Sequence, residues 1–535
     1  MNCECDKGKD MTSEEVVEAG GLTMGHGTMP GLPSWALGSA LALVVVLTVL
    51  SVGRGRRWFS GESSGLRFEL TSIKPLKWLV SRRYFQFMMQ VPLVIMLFVI
   101  LYAGFEGTPV ADKNISTVLV WSIWWTLLIL DIVLLGRMWC LVCPWDALAS
   151  WIRRLSFWRR REEEPLALNL KWPRWLKNVY PATFFFVGLT WLELGWGVTM
   201  SPHATAILGL CMVMLAVVPA LIFERKSFCR YGCLIGRICG LYSMVAPVEV
   251  RSRDLDVCKS CRTKDCLNGN DKGYPCPTGQ SLTTMRANTY CTVCTECVKS
   301  CPNDNVAINV RPWASDLYGL RKPRRDEAML ALVMLSLTSF HGLTMTPIWT
   351  QLINASRDTL GLSFLPTFSL GMVAILLVPG GLYLLFSSLS NRFTRTAKDS
   401  SLWRVASGYA YPLVAIALMY HLAHNAGHFL VEAGVVVPVI SDPLGSGANI
   451  FGTAGFSPAP FLSQEGIWLM QLGLVLLGHW WALRATEWAH RALAKVRSVE
   501  VLPLRSRLVT AAFLLMVSAF NLWLLAQPME MRTAM

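Results

Sequence analysis

Apolar residues run in ten long blocks along the chain, with polar and charged residues gathered in the gaps. The blocks lie near 34–52, 84–105, 115–136, 176–197, 202–223, 327–352, 363–389, 405–431, 467–489 and 505–527. Each is long enough to cross a hydrocarbon core of about 30 Å as a helix. The pattern predicts an all-α polytopic membrane protein of about ten transmembrane helices. A polar stretch at 249–312 divides it into two sets of five. Four segments are therefore expected: a tail 1–33, a five-helix membrane domain 34–248, a soluble insert 249–312, and a second five-helix membrane domain 313–535. The tail is acidic (Glu4, Asp6, Asp10, Glu14, Glu15 and Glu18 against Lys7 and Lys9) and has no basic leader segment.

Charge gives this layout a direction. Of 49 Lys and Arg, 44 fall within 53–83, 137–177, 224–325, 390–404 and 484–507; the other five are Lys7, Lys9, Lys113, Arg357 and Arg532. Loops enriched in Lys and Arg stay in the cytoplasm. The expected protein is thus multi-pass in the cytoplasmic membrane, with both termini and the loop 432–466 extracytoplasmic and the insert cytoplasmic. Only 16% of residues are charged and 53% are apolar, against about 25% charged in soluble domains. That excludes an ordinary soluble enzyme. The net charge of +14 is accounted for by topology and by attraction to anionic lipid, so nucleic acid is not an expected partner.

The 16 cysteines are clustered, which favours metal over a secreted disulfide scaffold. Within the insert, Cys291-x2-Cys294-x2-Cys297-x3-Cys301-Pro302 is the bacterial ferredoxin run, in which the fourth thiolate reaches the neighbouring cubane. Upstream, Cys258-x2-Cys261-x4-Cys266-x9-Cys276-Pro277 is a stretched second copy. Crossed ligation assigns one [4Fe–4S] cluster to Cys258, Cys261, Cys266 and Cys301, and a second to Cys291, Cys294, Cys297 and Cys276. The insert is therefore expected to be a two-cluster, ferredoxin-like α+β unit; structural zinc is the alternative for sets of four cysteines.

Two further pairs sit where apolar blocks end, in Gly136-Arg137-Met138-Trp139-Cys140-Leu141-Val142-Cys143-Pro144 and in Phe228-Cys229-Arg230-Tyr231-Gly232-Cys233-Leu234-Ile235-Gly236. With these motifs beside the ferredoxin run, residues 84–312 resemble the membrane polyferredoxins of the NosR/NapH type and their oxidase-assembly relative CcoG. The resemblance implies electron transfer in nitrous-oxide or nitrate respiration, or cupro-enzyme maturation. It also implies a redox role for Cys140, Cys143, Cys229 and Cys233. The first motif is one residue shorter than that family's C-x3-C-P, and Leu234 replaces proline in the second. From the residues alone, such pairs can ligate a further cluster, form a reversible disulfide, bind copper, or simply pack as small buried side chains. Arg137 and Arg230 are expected to lower their thiol pKa values. Cys211 and Cys239 have no partner at useful spacing and are assigned to packing.

Six of the eight histidines lie in the second half, and His341, His421, His424, His428 and His479 are the candidates among them. His421, His424 and His428 share one helix face, and His341, His421 and His479 fall at similar depth in three spans. Ionisable groups at that depth point to function, and haem b or copper is the expected ligand, with Met345 available to copper. Hydrogen bonding between helices is the alternative. In the tail, Cys3, Cys5, Met24, His26 and Met29 form a weak copper motif. Asp131 and Glu193 are potential proton-linked groups.

The resulting expectation is a membrane-bound iron–sulfur electron carrier. Electrons pass between a cytoplasmic donor or acceptor, the clusters, quinol or haem in the bilayer, and an extracytoplasmic redox protein or other subunits. Two alternatives remain: a cupric reductase that handles copper for cupro-enzyme assembly, and a structural iron–sulfur subunit of a larger membrane complex.

Overall fold

The computed structural model describes residues 28–59, 67–155, 157, 166–319, 323–396 and 399–530. Among these, nine helices are long and apolar enough to cross a membrane: α1 (Ser34–Trp58), α2 (Tyr84–Glu106), α3 (Ile115–Leu135), α4 (Pro202–Ile222), α5 (Arg325–Thr344), α6 (Phe364–Thr394), α7 (Leu402–Glu432), α8 (Gln464–Val496) and α9 (Leu504–Leu525). The protein is a mostly helical, multi-pass membrane protein.

Two of the expected ten spans differ. The block at 176–197 forms a helix of only 15 residues, Tyr180–Leu194, about 22 Å at 1.5 Å per residue. It stops at Gly195-Trp196-Gly197, where Gly197 turns into the left-handed region (φ 72°). The block at 327–352 breaks at Thr344, and Pro347 opens a separate amphipathic helix, Pro347–Leu360, because proline is well suited to the first turn of a helix but not to its interior.

Helix burial runs against hydropathy. α5 and α7 are the least apolar spans and the most buried, whereas α1, α4 and α6 are strongly apolar and mostly exposed on the outside of the bundle. Lipid rewards apolar surface on the rim; polar side chains are held in the interior, where neighbouring helices can satisfy them. α7 is the central pillar and packs chiefly against α8 and α5.

On one face of the bundle, β3 (Val248–Ser252) pairs antiparallel with β4 (Val306–Val310), and β2 (Phe68–Glu69) joins the other edge of β4. The α1–α2 connection therefore supplies part of the insert's scaffold. Glu249, wholly buried, anchors that sheet through Arg311 (2.8 Å), Arg67 (3.1 Å) and Arg251 (3.3 Å). On the opposite face β1 (Thr28–Met29) pairs with β5 (Met529–Glu530). Gly31 is required beside this pairing, since a Cβ there would stand 2.2 Å from the Ala526 carbonyl oxygen.

Candidate functional site

None of the 14 described cysteines forms a disulfide, and twelve of them gather in three groups on the insert face. Cys258, Cys261, Cys266 and Cys301 line one small cavity of about 360 Å³. Asn305 spans two of them, its backbone N–H donating to Cys301 Sγ (3.3 Å) and its side-chain amide to Cys258 Sγ (3.3 Å). Burial, reinforced by Cys258 and Cys301, pushes the Cys266 thiol up to about 11. Cys261 is nearly exposed and is lowered by the Lys264 backbone N–H.

Cys276, Cys291, Cys294 and Cys297 form the second group. Burial, then Glu296 and Cys276, pushes Cys294 up to about 12, and Cys297 is raised by burial and by the other three. Cys266 also acts on Cys297, so the two groups adjoin. The local backbone explains how so short a run encloses a centre. Val293 (φ 53°) and Thr295 (φ 63°) alternate into the left-handed region, unusual for β-branched residues. Such alternation turns successive N–H groups into one concavity, the nest that suits sulfur anions. Strain of this kind persists only where the surroundings fix it.

The third group joins the two outlying pairs. Cys140, Cys143, Cys229 and Cys233 lie close enough to act on one another electrostatically. The helices Trp139–Val142 and Ser227–Tyr231 end on Cys143 and just before Cys233, so two chain reversals meet. Arg137, fully buried, ties the group together: Nε donates to Cys140 Sγ (3.3 Å), and its terminal nitrogens donate to the carbonyls of Cys229 (3.0 Å) and Thr289 (3.4 Å). Arg237 also donates to the Thr289 carbonyl (3.1 Å), which links this group to the chain entering Cys291. The expected lowering of these thiols does not hold for three of them. Burial raises Cys143, Cys229 and Cys233, and Asp146 adds to it, while Arg230 stacks over Tyr231 instead. Lys226 pairs with Asp146 at 2.5 Å.

Among the described residues no three His, Cys, Asp or Glu groups close tightly enough to hold one metal ion. Four thiols around one cavity, as in the first group, instead suit a multi-atom centre, which spreads its ligands wider than a single ion. Donor type and grouping suit a cubane at each of the first two sites, and four soft thiols suit a further multi-atom cluster at the third.

Beside the third group is a cavity of about 770 Å³ between α2, α3 and α4, walled by Trp121, Trp124, Trp125, Trp139 and Trp145. Sequence spacing did not disclose it. Trp139 precedes Cys140, and Pro144, also in the wall, follows Cys143. Val118–Trp124 is a π-helical turn, a feature frequent at functional sites. Trp121 donates to Thr205 (3.0 Å). The indole N–H groups of Trp124, Trp139 and Trp145 are buried with no hydrogen-bond partner among the described residues. Each such donor costs about 1–3 kcal/mol.

No protein-family model, curated protein or solved structure matches this chain.

The histidines pair differently from the depth expectation. His341 Nδ1 lies 3.1 Å from His424 Nε2, and His341 Nε2 lies 3.2 Å from Glu193 Oε1. The His424 and His428 rings meet with centroids 4.9 Å apart, and His428 Nδ1 is 2.8 Å from Glu432 Oε1. His421 approaches the Tyr242 hydroxyl (3.4 Å) and the Trp125 ring (6.0 Å between centroids). His479 is separate, with Thr48 on Nε2 (2.9 Å) and Ser518 on Nδ1 (2.8 Å). Hydrogen-bonded imidazoles leave no gap for a macrocycle between His341 and His424, and both His479 nitrogens are engaged. This arrangement does not fit a haem between these residues.

Asp131 accepts from the Trp139 backbone N–H (3.0 Å), which fixes the approach to Cys140. Met345 caps α5, and its carbonyl accepts from Glu530 N–H (2.8 Å). Of the tail motif, Cys3, Cys5, Met24 and His26 lie outside the described residues. Met29 is buried in β1, its Cε 3.7 Å from where a Cβ on Gly427 of α7 would stand.

Proposed function

We propose that this chain is a membrane iron–sulfur electron carrier that takes electrons from a quinol in the bilayer. The supporting observation is the succession of sites: a tryptophan-walled cavity, then the Cys140/Cys143/Cys229/Cys233 group, then the two four-cysteine groups of the insert. Iron–sulfur centres held by those thiols would exchange single electrons with little structural rearrangement. The chain's residues supply the rest. The cavity has the apolar lining of a small-molecule site. Trp124, Trp139 and Trp145 of its wall carry indole N–H groups with no hydrogen-bond partner among the described residues. Arg137 and Arg237 hold the third cysteine group against the segment leading to Cys291. The Lys and Arg asymmetry supports a cytoplasmic insert with both termini outside, and the ferredoxin-like run and the NosR/NapH resemblance support the same chemistry. The electron partners beyond the insert and the quinol are a soluble cytoplasmic redox protein and an extracytoplasmic protein or subunit.

The test is anaerobic purification with iron analysis, followed by addition of a short-chain benzoquinol. About eight irons per chain fill the two insert sites at four each, and more fill the third. Quinol should bleach the cluster absorbance, and Trp124→Phe should weaken quinol binding. Stoichiometric zinc with negligible iron would overturn this reading.

One observation favours copper handling as a second reading. Met29, the one described member of the tail motif, is buried against Gly427 of α7, and the motif's thioether, thiol and imidazole donors are a set that suits Cu(I). Copper analysis with and without residues 1–27 tests it.

A further inference from the structure

The oxidation of a quinol to a quinone breaks two O–H bonds, and the two protons need a route out of the apolar interior. From the buried row of imidazoles we infer that those protons leave on the face opposite the insert, through His421, His424, His428 and Glu432 of α7. The inference rests on the quinol reading above and adds a direction to it.

The row begins at the cavity. Trp125 lines the cavity and also contacts the His421 ring. The Tyr242 hydroxyl, on the helix that starts beside Cys233, reaches His421 from the insert side. His424 is one helical turn further along the same face of α7. It is backed by His341 of α5, which is itself held by Glu193, and its ring stacks on Tyr420 (6.2 Å between centroids). His428 follows in ring contact, and its Nδ1 meets Glu432. Glu432 ends α7 beneath the loop that packs Pro458 over Gly434 and bonds Phe461 N–H to the Leu430 carbonyl (2.8 Å).

Every member is buried. Imidazole can accept a proton on one nitrogen and release it from the other, the property that makes histidine a proton shuttle. Chains of His, Asp and Glu inside membrane proteins are the usual form of a proton relay. Purely structural histidines look different here: His479 has both nitrogens fixed by hydroxyls and meets no second imidazole. The electrons and protons therefore part at the cavity. Each quinol gives two electrons to the cysteine-held iron centres toward the insert and two protons to α7 toward the other face.

The test uses the full chain in sealed vesicles, selected for an outward insert by its accessibility to protease, with an impermeant pH dye trapped inside. A short-chain benzoquinol is added outside with ferricyanide as the electron sink, and protein-free vesicles are subtracted. The inference expects two lumenal protons per quinol oxidised. It also expects His424→Leu and Glu432→Gln each to slow lumenal acidification at least tenfold while iron content stays unchanged. Glu432→Gln preserves shape and lies clear of the cysteine groups, so it decides the matter if the leucine variant misfolds. Protons appearing outside, or variants that acidify the lumen at the parental rate, overturn the inference alone. Failure of the parent protein to reduce ferricyanide with quinol overturns the quinol reading and the inference together, and no proton measurement is needed to recognise it.

Discussion

The insert and the interior of the second helical half both concentrate potential ligands, but by opposite means. In the insert, eight cysteines are brought together mostly by local chain turns, with left-handed residues at Val293, Thr295 and Lys264 bending the backbone around each group. Around α7, no two histidines from different helices are near in sequence, and His341 meets His424 across 83 positions. Spacing along the chain dictates the first site; the fit of whole helices dictates the second. The insert also has a small apolar core, built around Val250, Leu282, Val306 and Ile308, in which cysteines take part. The helical half has a continuous core running through α5, α7, α8 and α9.

On the proposed iron–sulfur reading, removing the metal should separate the two regions most sharply. Anaerobic iron chelation should leave α7 and α8 protected from hydrogen exchange while residues 255–301 lose protection by orders of magnitude, because metal binding in a small domain is itself folding free energy. Equal loss in both regions would break the contrast.

Next in size is Arg311→Met. It removes the nearest cation from Glu249 and Asp316, buried carboxylates that Arg311 pairs at 2.8 and 2.6 Å, and leaves them the longer contacts to Arg251 and, for Glu249, Arg67. Breaking a buried pair costs about 3–5 kcal/mol, so the insert should unfold at markedly lower denaturant with the helical half unchanged.

His479→Leu probes the other side. It removes two buried hydrogen bonds and leaves the Thr48 and Ser518 hydroxyls unpaired, a loss of about 1–3 kcal/mol. Quinol oxidation should be unaffected, whereas the same change at His424 should slow proton release.

The smallest effect concerns the strap between the α1–α2 connection and the insert. Hydrogen bonding to Arg253, whose Nη2 is 2.7 Å from Oε1, holds the Glu69 carboxyl below its ordinary range. A depressed carboxylate stabilises fully above its ordinary pKa of about 4.3 and loses that contribution as pH falls through the lower value. The pair is largely solvated, so Glu69→Gln should cost no more than about 1 kcal/mol at neutral pH and nothing in strong acid.

How much of this was legible in the sequence follows from the same contrast. The cysteine groups of the insert could be read from x2 and x3 intervals, since a few residues of backbone set the distance between sulfurs. The convergence of Cys140 and Cys143 with Cys229 and Cys233 could be read only as two similar pairs; Arg137 and Asp146, which join them, carry no periodic signal. Equal depth pointed to His421 and His479 as partners of His341. The actual partner is His424, because α5 stops at Thr344 while α7 runs on to Glu432, so their ends are not level. The cavity was missed for a related reason: its walls come from α2, α3, α4 and the cysteine turns. The one available hint was tryptophan at 121, 124, 125, 139 and 145 flanking Cys140 and Cys143.

The clasp of β1 on β5 has a consequence for biogenesis. α1 leaves the ribosome well before α8 and α9, yet it packs on both, and Gly31 seats against Ala526 at the end of α9. At about 5–20 residues per second, the interval between synthesis of Trp58 and of Leu525 is roughly half a minute to a minute and a half. For that time α1 must wait in lipid with Ala36, Ala40 and Val44, all buried in the finished bundle, still without neighbours. An insertion chaperone or quality-control protease that surveys half-built bundles would find its window there, and a nascent chain stalled before α9 should be degraded from its first helix.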